Sequence, residues 1–369
     1  MKIGLIHHQI IRGTGVETFL IEFAKRLAAD GHEPVYITTL TTPELGASLP
    51  GNWELLPRVR GSGAARMWHF NRLAPRAARE AGVDLSIGFG RTTCQDIHRN
   101  GTGCHRLYGN LLPFWQRYGV RHLLELYLEK KLHTGGETKT FVTSSARVAA
   151  QLQGVYHVSG DRFRILRPPV ETQMFKPSEN RGALRELICR KLQTDATRPV
   201  LLFVSVSHRR RGLEPLLEAM REIDATLWIV GRGLSREHLS LIARHGIGAK
   251  IRNVPVTNQL VELYQAADWF VHPTQYDAFS STVLQSMACG LPGLISVMDG
   301  AVDHIQNEEN GFMLYHPQQP VELAARIQEA LALDETAREG MGRAARESVL
   351  PLTWEAHMAE WETVAGLRR

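Results

Sequence analysis

Apolar positions in this chain alternate between two rhythms, short continuous runs and longer stretches with an apolar residue every third or fourth place. Residues 2–8 read as a buried strand, and residues 18–29 as an amphipathic helix ending at Gly31. Further strand signals occupy residues 34–39, 84–88 and 140–143, separated by helical or loop patterns. After Pro168 and Pro169 the alternation restarts. Strands are expected at 200–206, 226–230, 269–272 and 293–296, with helical patterns at 213–222, 258–267 and around 282–289. Alternation of this kind predicts an α/β chain of two doubly wound, Rossmann-like domains with parallel sheets. Paired prolines disfavour regular structure, so the hinge is placed near residues 166–177. The first domain is expected over residues 1–168 and the second over 169–351, with a closing helix in 352–369 crossing back to the first.

At 369 residues the chain exceeds the roughly 250 to 300 at which one core stops growing, in keeping with two domains. Hydrophobic content of 43% and charged content of 22% are those of a globular chain. No apolar stretch approaches the ~20 residues that cross a bilayer, and the N-terminal run is broken at once by His7 and His8. A cytoplasmic protein is expected, with any membrane contact peripheral. Cys94, Cys104, Cys189 and Cys289 show neither a C-x-x-C pair nor metal-site spacing. A net charge of +5 and a pI near 9.1 favour anionic partners. Helix-turn-helix, zinc-finger and aromatic RNP signatures are absent, so nucleic acid is not an expected partner.

Gly13 and Gly15, in the run 13–18 (GTGVET), follow the first strand and open a helix. The third glycine of a dinucleotide fingerprint is missing, and the second strand ends in Thr38 and Thr39 without an acidic ribose ligand. Neither a Walker A loop nor a G-x-S-x-G elbow occurs. The two glycines suit either close backbone approach by a ligand or a tight turn. Residues 276–292 (YDAFSSTVLQSMACGLP) enter a helix through small hydroxyl residues and stop at Gly290, with Pro292 beyond. The amides of Ser280 and Ser281 at that N-terminus would suit a phosphate.

That run is similar to the E-x7-E segment of glycosyltransferase family 4, E-A-F-G-x4-E-A-x-A-x-G-x-P, with Asp277 and Gln285 at the two glutamate positions and Phe279 in the aromatic place. The resemblance extends over nearly the whole chain and looks closest to bacterial lipopolysaccharide core glucosyltransferases that add glucose to heptose. Residues 84–91 (DLSIGFGR) resemble the D-V-V-I-G-F-N-K run of those enzymes, and residues 165–177 their hinge. His208 to Gly212 (HRRRG) falls where the family has a basic residue and lysine before glycine, which implies Arg210 and Arg211 as diphosphate clamps. Guanidinium forks bind phosphate bidentately, so the chemistry agrees.

The resemblance implies a GT-B fold, two such domains facing a central cleft, and a retaining hexosyltransferase. Its donor is a nucleotide diphosphate sugar, with a UDP-sugar such as UDP-glucose favoured. A glycan or lipid-linked acceptor follows, in lipopolysaccharide or other cell-surface polysaccharide synthesis. It places Asp277 near the donor hydroxyls and Gln285 near the ribose, and Gly231, Ser280 and Ser281 join the substrate-binding set. No cofactor is expected beyond the sugar nucleotide as co-substrate. No D-x-D triplet occurs, so no metal is expected. Where the related enzymes carry a functional aspartate this chain has Thr102; Asp96, His98 and His105 are the candidate substitutes, with His105 first as general base. Two rivals stay open, a catalytically silent sugar-nucleotide-binding protein and a nucleotide-sugar epimerase. Residues 111–133 combine Phe114, Trp115 and Tyr118 with Arg117, Arg121, Lys130 and Lys131, suiting either an anionic membrane surface or a core helix with a basic outer face.

Overall fold

The computed structural model describes residues 1–13 and 15–367. It divides into two compact units, one of residues 1–167 with the segment from His357 onward, the other Pro168–Ala356. In the first, strands β1 (Lys2–Ile6), β2 (Glu33–Thr38), β3 (Asn52–Leu55), β4 (Leu85–Gly88), β5 (Ile97–Asn100), β6 (Thr140–Thr143) and β7 (Phe163–Ile165) form a seven-stranded sheet ordered β3-β2-β1-β4-β5-β6-β7. Each pairing is parallel. Such a sheet is covered on both faces, which is why β1 and β2 read as near-continuous apolar runs. The predicted helix at 18–29 begins earlier, spanning Gly15–Ala29, and buries Phe19, Leu20, Phe23 and Leu27.

The second unit repeats the plan with β8 (Val200–Ser205), β9 (Thr226–Gly231), β10 (Ile251–Pro255), β11 (Trp269–His272), β12 (Gly293–Ser296) and β13 (Gly311–Leu314), ordered β10-β9-β8-β11-β12-β13 and parallel throughout. Apolar clusters lie on both faces of its sheet, one around Trp228, Phe270 and Met287 and the other around Phe203, Leu216 and Trp269. Helix Trp354–Ala365 follows; from His357 on it belongs to the first unit, where Trp361 lies 4.9 Å from Phe23 and His357 meets Phe19 edge-on at 5.4 Å. Residues 368 and 369 of the expected closing segment lie outside the described residues. Among the described residues no helix is long and apolar enough to cross a membrane.

Strands β3, β5, β7, β10 and β13 escape the apolar-run reading. The clearest case is β5, whose sequence IHRN is polar at three of four positions yet wholly buried. Arg99 is tolerated there because its guanidinium lies 3.7 Å above the Phe19 ring, a cation–π contact that offsets part of the desolvation. Burial still lowers its pKa to about 10.

Candidate functional site

In an open parallel sheet, ligands bind at the carboxyl ends of the strands where the strand order reverses. In the second unit that point lies between β8 and β11. The loop after β8 brings Arg210 and Arg211, the end of β11 brings His272, the following segment Asp277 and Ser280, and the turn after β12 Asp299. All of these converge. Gly212 makes the first loop possible: its φ is +80°, and a Cβ there would sit 2.1 Å from the Pro273 carbonyl. The Gln275 amide and the Thr274 hydroxyl both donate to the Arg210 carbonyl, latching the two loops together.

Asp277 is the hub. Its Oδ2 accepts from Arg210 Nη1 at 2.8 Å and Arg211 Nη2 at 2.7 Å. Arg211 also donates through Nη1 to Ser280 Oγ at 2.6 Å and approaches His272 Nε2 at the same distance. Parallel pairing of Asp277 with Asp299 sets the two carboxylates side by side, Asp299 Oδ2 lying 3.0 Å from His272 Nε2. Burial pushes the Asp277 carboxyl up, but Arg211 and Arg210 together outweigh it and hold the group below the ordinary carboxylate range. His272 is fully enclosed; burial and then Arg211 lower its pKa, so its neutral form is favoured.

Around this hub the predicted donor residues take unequal positions. Ser280 caps helix Ser281–Ala288, yet its amide donates to Asp299 Oδ1 at 3.1 Å. The expectation that this amide meets a phosphate is therefore corrected: a buried carboxylate has taken it, leaving Ser281, exposed on the first turn. Phe279 is half-buried and donates its amide to Asp277 Oδ1. Gln285 sits one helical turn further on, where its Oε1 accepts from the Tyr264 hydroxyl at 3.3 Å. Gly231 ends β9 with φ +133°, and a Cβ there would lie 1.9 Å from the Ser205 carbonyl. The backbone therefore requires that glycine, whatever it touches.

In the first unit the order reverses between β1 and β4. Gly13 and Gly15 follow β1, and a Cβ at either would meet nothing within 4 Å among the described residues. Thr14 between them lies outside the described residues.

The three acceptor-side candidates do not assemble there. Asp96 precedes β5, at the amino-terminal edge of the sheet, and its Oδ2 accepts from the Ser86 amide at 3.0 Å and hydroxyl at 2.7 Å. It clasps β4 to β5, so its proposed catalytic role is corrected. His98 lies inside β5, its Nδ1 3.2 Å from Gln95 Nε2, and burial takes its pKa well below the ordinary value; a loop position open to substrate is corrected to a sheet interior. His105 is buried, with Nε2 2.9 Å from His122 Nδ1 and 3.2 Å from Glu125. Burial, reinforced by Arg91, lowers it to about 4, which keeps it neutral but makes it a weak base.

Sequence reasoning missed the residues that organise these places: His272, Asp299 and, in the first unit, Glu129. Glu129 is fully enclosed on helix Val120–Thr134 and accepts from the His105 amide at 2.7 Å, the Arg106 amide at 2.9 Å and the Tyr156 hydroxyl at 2.7 Å, with Arg91 at 3.2 Å. Asp299 could have been suspected from its place after a strand and before Gly300; Glu129 had no local signal.

His272, Asp277 and Asp299 offer three ligand-type atoms within 4.8 Å of one another. Arg211 already reaches into that set, and two guanidiniums offset both carboxylates, so a divalent cation there would face two fixed positive charges.

The model of glycosyltransferase family 4 matches residues 13–174, and that of glycosyl transferases group 1 matches residues 185–348. Between them the two matches span both units, and the chain is similar throughout to glycosyltransferases of family 4. It is thus a glycosyltransferase, with the GT-B fold. It is 27% identical to a probable transglycosylase of Burkholderia thailandensis over 83% of this chain and 80% of that protein. It is 23% identical to the lipopolysaccharide glucosyltransferase WaaG of Escherichia coli K12, over 86% of each. The crystal structure of WaaG, a glycosyltransferase involved in lipopolysaccharide biosynthesis, superposes with a TM-score of 0.80, covering 99% of this chain and all of that one at 19% identity. The Anabaena protein HepE, solved with UDP and glucose, gives 0.76 at 16% identity over 99% of each chain.

Proposed function

We propose that this glycosyltransferase moves a hexose, with retention, from a UDP-sugar to a glycan or lipid-linked acceptor in cell-surface polysaccharide synthesis. The observation that carries this reading is the pairing of Asp277 with both Arg210 and Arg211 at the strand-order reversal of the second unit. Transfer breaks the anomeric C–O bond and leaves charge on the departing diphosphate, which needs fixed positive partners. Phosphate oxygens compete with the Asp277 carboxylate for the two guanidiniums, and the released carboxylate turns to the sugar hydroxyls. Gln285 meets the ribose, and Ser281 offers the helix N-terminus. With two arginines in place of a bridging ion, the reaction needs neither metal nor cofactor. Similarity to WaaG and to HepE, whose structure holds UDP, supports this donor class.

A lipid-linked acceptor also accounts for the segment after β5. Leu128 and Leu132 fill the core, whereas Phe114, Trp115, Tyr118 and Val120 are each about seven-tenths exposed beside exposed Arg117 and Arg121. We read this as peripheral contact with an anionic cytoplasmic membrane face.

The deciding experiment is a binding and turnover screen with UDP-, GDP-, ADP- and dTDP-sugars. UDP-sugar binding followed by slow hydrolysis or transfer is expected. Binding without turnover would favour a silent binding protein, an altered sugar still on its nucleotide would favour an epimerase, and no binding at all would refute the donor site.

A further inference from the structure

A cavity lies within the second unit, at the opposite end of β11 from the Asp277 cluster. Its walls carry Arg181, Arg338, Arg343 and Arg346, with Tyr264 and Cys289 on the inner side, around about 230 Å³. Asp268 precedes β11 and His272 ends it. About four residues of extended chain therefore separate the two places, roughly 13 Å.

The charge in this cavity is not balanced. Asp268, behind the cavity wall, serves Arg181 at 2.6 Å, Arg185 at 2.8 Å and Arg338 at 3.7 Å while also accepting the Val200 amide, and Glu335 lies 3.5 Å from Arg338. Arg346 is spent on backbone carbonyls of Phe175 and Ala288, capping the helix that carries Gln285. Arg343 is exposed at the rim and has no hydrogen-bond or ion-pair partner among the described residues. Glu339, also on the rim, is exposed to solvent. Burial, then the neighbouring Arg181, make Arg338 a weaker holder of its proton than usual. Guanidiniums gathered around a hollow with too few acids to answer them form a receptor for an oxyanion, because their planar forks match phosphate oxygens.

We propose that this arginine cavity binds a small anion bearing a phosphoryl group, at a site separate from the donor site. Arg343 and Arg338 supply the forks, Arg181 the adjoining charge, and the volume admits a diphosphate or a phosphorylated sugar. Inorganic pyrophosphate and glucose 1-phosphate share the recognised chemistry and represent the two sources.

Each is titrated calorimetrically into the full-length protein, an Arg210→Ala variant, and that variant carrying Arg343→Ala or Arg343→Lys in addition. At least one probe still binds when Arg210→Ala has weakened the donor clamp, and in that background Arg343→Ala weakens the remaining binding about tenfold, Arg343→Lys less. The tighter probe assigns the source. Arg343 is exposed, so its variants should keep the wild-type melting temperature. The proposal is overturned if neither probe binds, if Arg343→Ala leaves binding unchanged in that background, or if Arg210→Ala abolishes binding.

Discussion

Asp277 Oδ2 and Arg211 Nη2 stand 2.7 Å apart, and through that pair one carboxylate holds two loops, a helix cap and a buried histidine in register. Asp277→Asn removes the charge but keeps the shape, leaving two partly buried guanidiniums without their acid. Breaking a buried pair costs about 3–5 kcal/mol, and the part-exposed arginines reduce that here to about 1–3 kcal/mol. Urea denaturation at pH 7 should show the loss. A carboxyl held below its unfolded pKa stabilises above that value and loses its contribution as pH falls through the folded one. The gap between wild type and variant should therefore close as pH drops below about 4.

Restoring the family's acid at the other position works in the opposite direction. Gln285→Glu keeps an acceptor for the Tyr264 hydroxyl and, with the donor placed as proposed above, would add a charge-assisted bond to the ribose. A gain of about 1 kcal/mol, roughly fivefold, is expected in the affinity of the preferred nucleoside diphosphate. Unchanged affinity for every nucleoside diphosphate by calorimetry would contradict the placement of Gln285.

Glu129 should behave as a structural keystone of the first unit. Glu129→Ala strands Arg91, two backbone amides and the Tyr156 hydroxyl in a dry interior. About 3–5 kcal/mol of stability is expected to go, with pyrophosphate and nucleotide binding by the second unit retained in whatever protein remains folded.

Acid should attack the first unit through its histidines. Burial lowers His8 and His105 to about 4 and His357 to about 3, against an unfolded value of 6.5. Protonation then favours the unfolded chain, so their contribution is complete above pH 6.5 and declines as pH falls towards 4. Hydrogen exchange at pH 5 against pH 7 should show protection lost first among residues 1–167. His357→Gln, which keeps an acceptor for the Trp361 indole, should shallow the pH dependence of the melting temperature.

Membrane contact, if it runs through the exposed aromatics, is separable from folding. Phe114 and Trp115 are 73% and 74% exposed, so the Phe114→Ala, Trp115→Ala double variant should fold normally and sediment several-fold less with anionic liposomes. Equal sedimentation would remove the membrane reading.

The alternating pattern of most buried strands and amphipathic helices, with the helix stop at Gly290, was legible because each answers a local preference. Most strands buried on both faces are apolar, and a helix end favours a capping glycine. Residues 276–292 were legible through their resemblance to the family motif. What each group touches was not. The Ser280 amide was expected to be open at a helix N-terminus and instead meets Asp299, nineteen residues away in sequence. His98 and Asp96 read as a polar loop and are instead a buried strand and a clasp, partnered by Gln95 and by Ser86. Glu129 carries no signal at all until Arg91, His105, Arg106 and Tyr156 are brought to it. Sequence periodicity specifies which backbone forms where; whether a charge is a clamp, a clasp or a binding site depends on long-range partners that only the folded chain assembles.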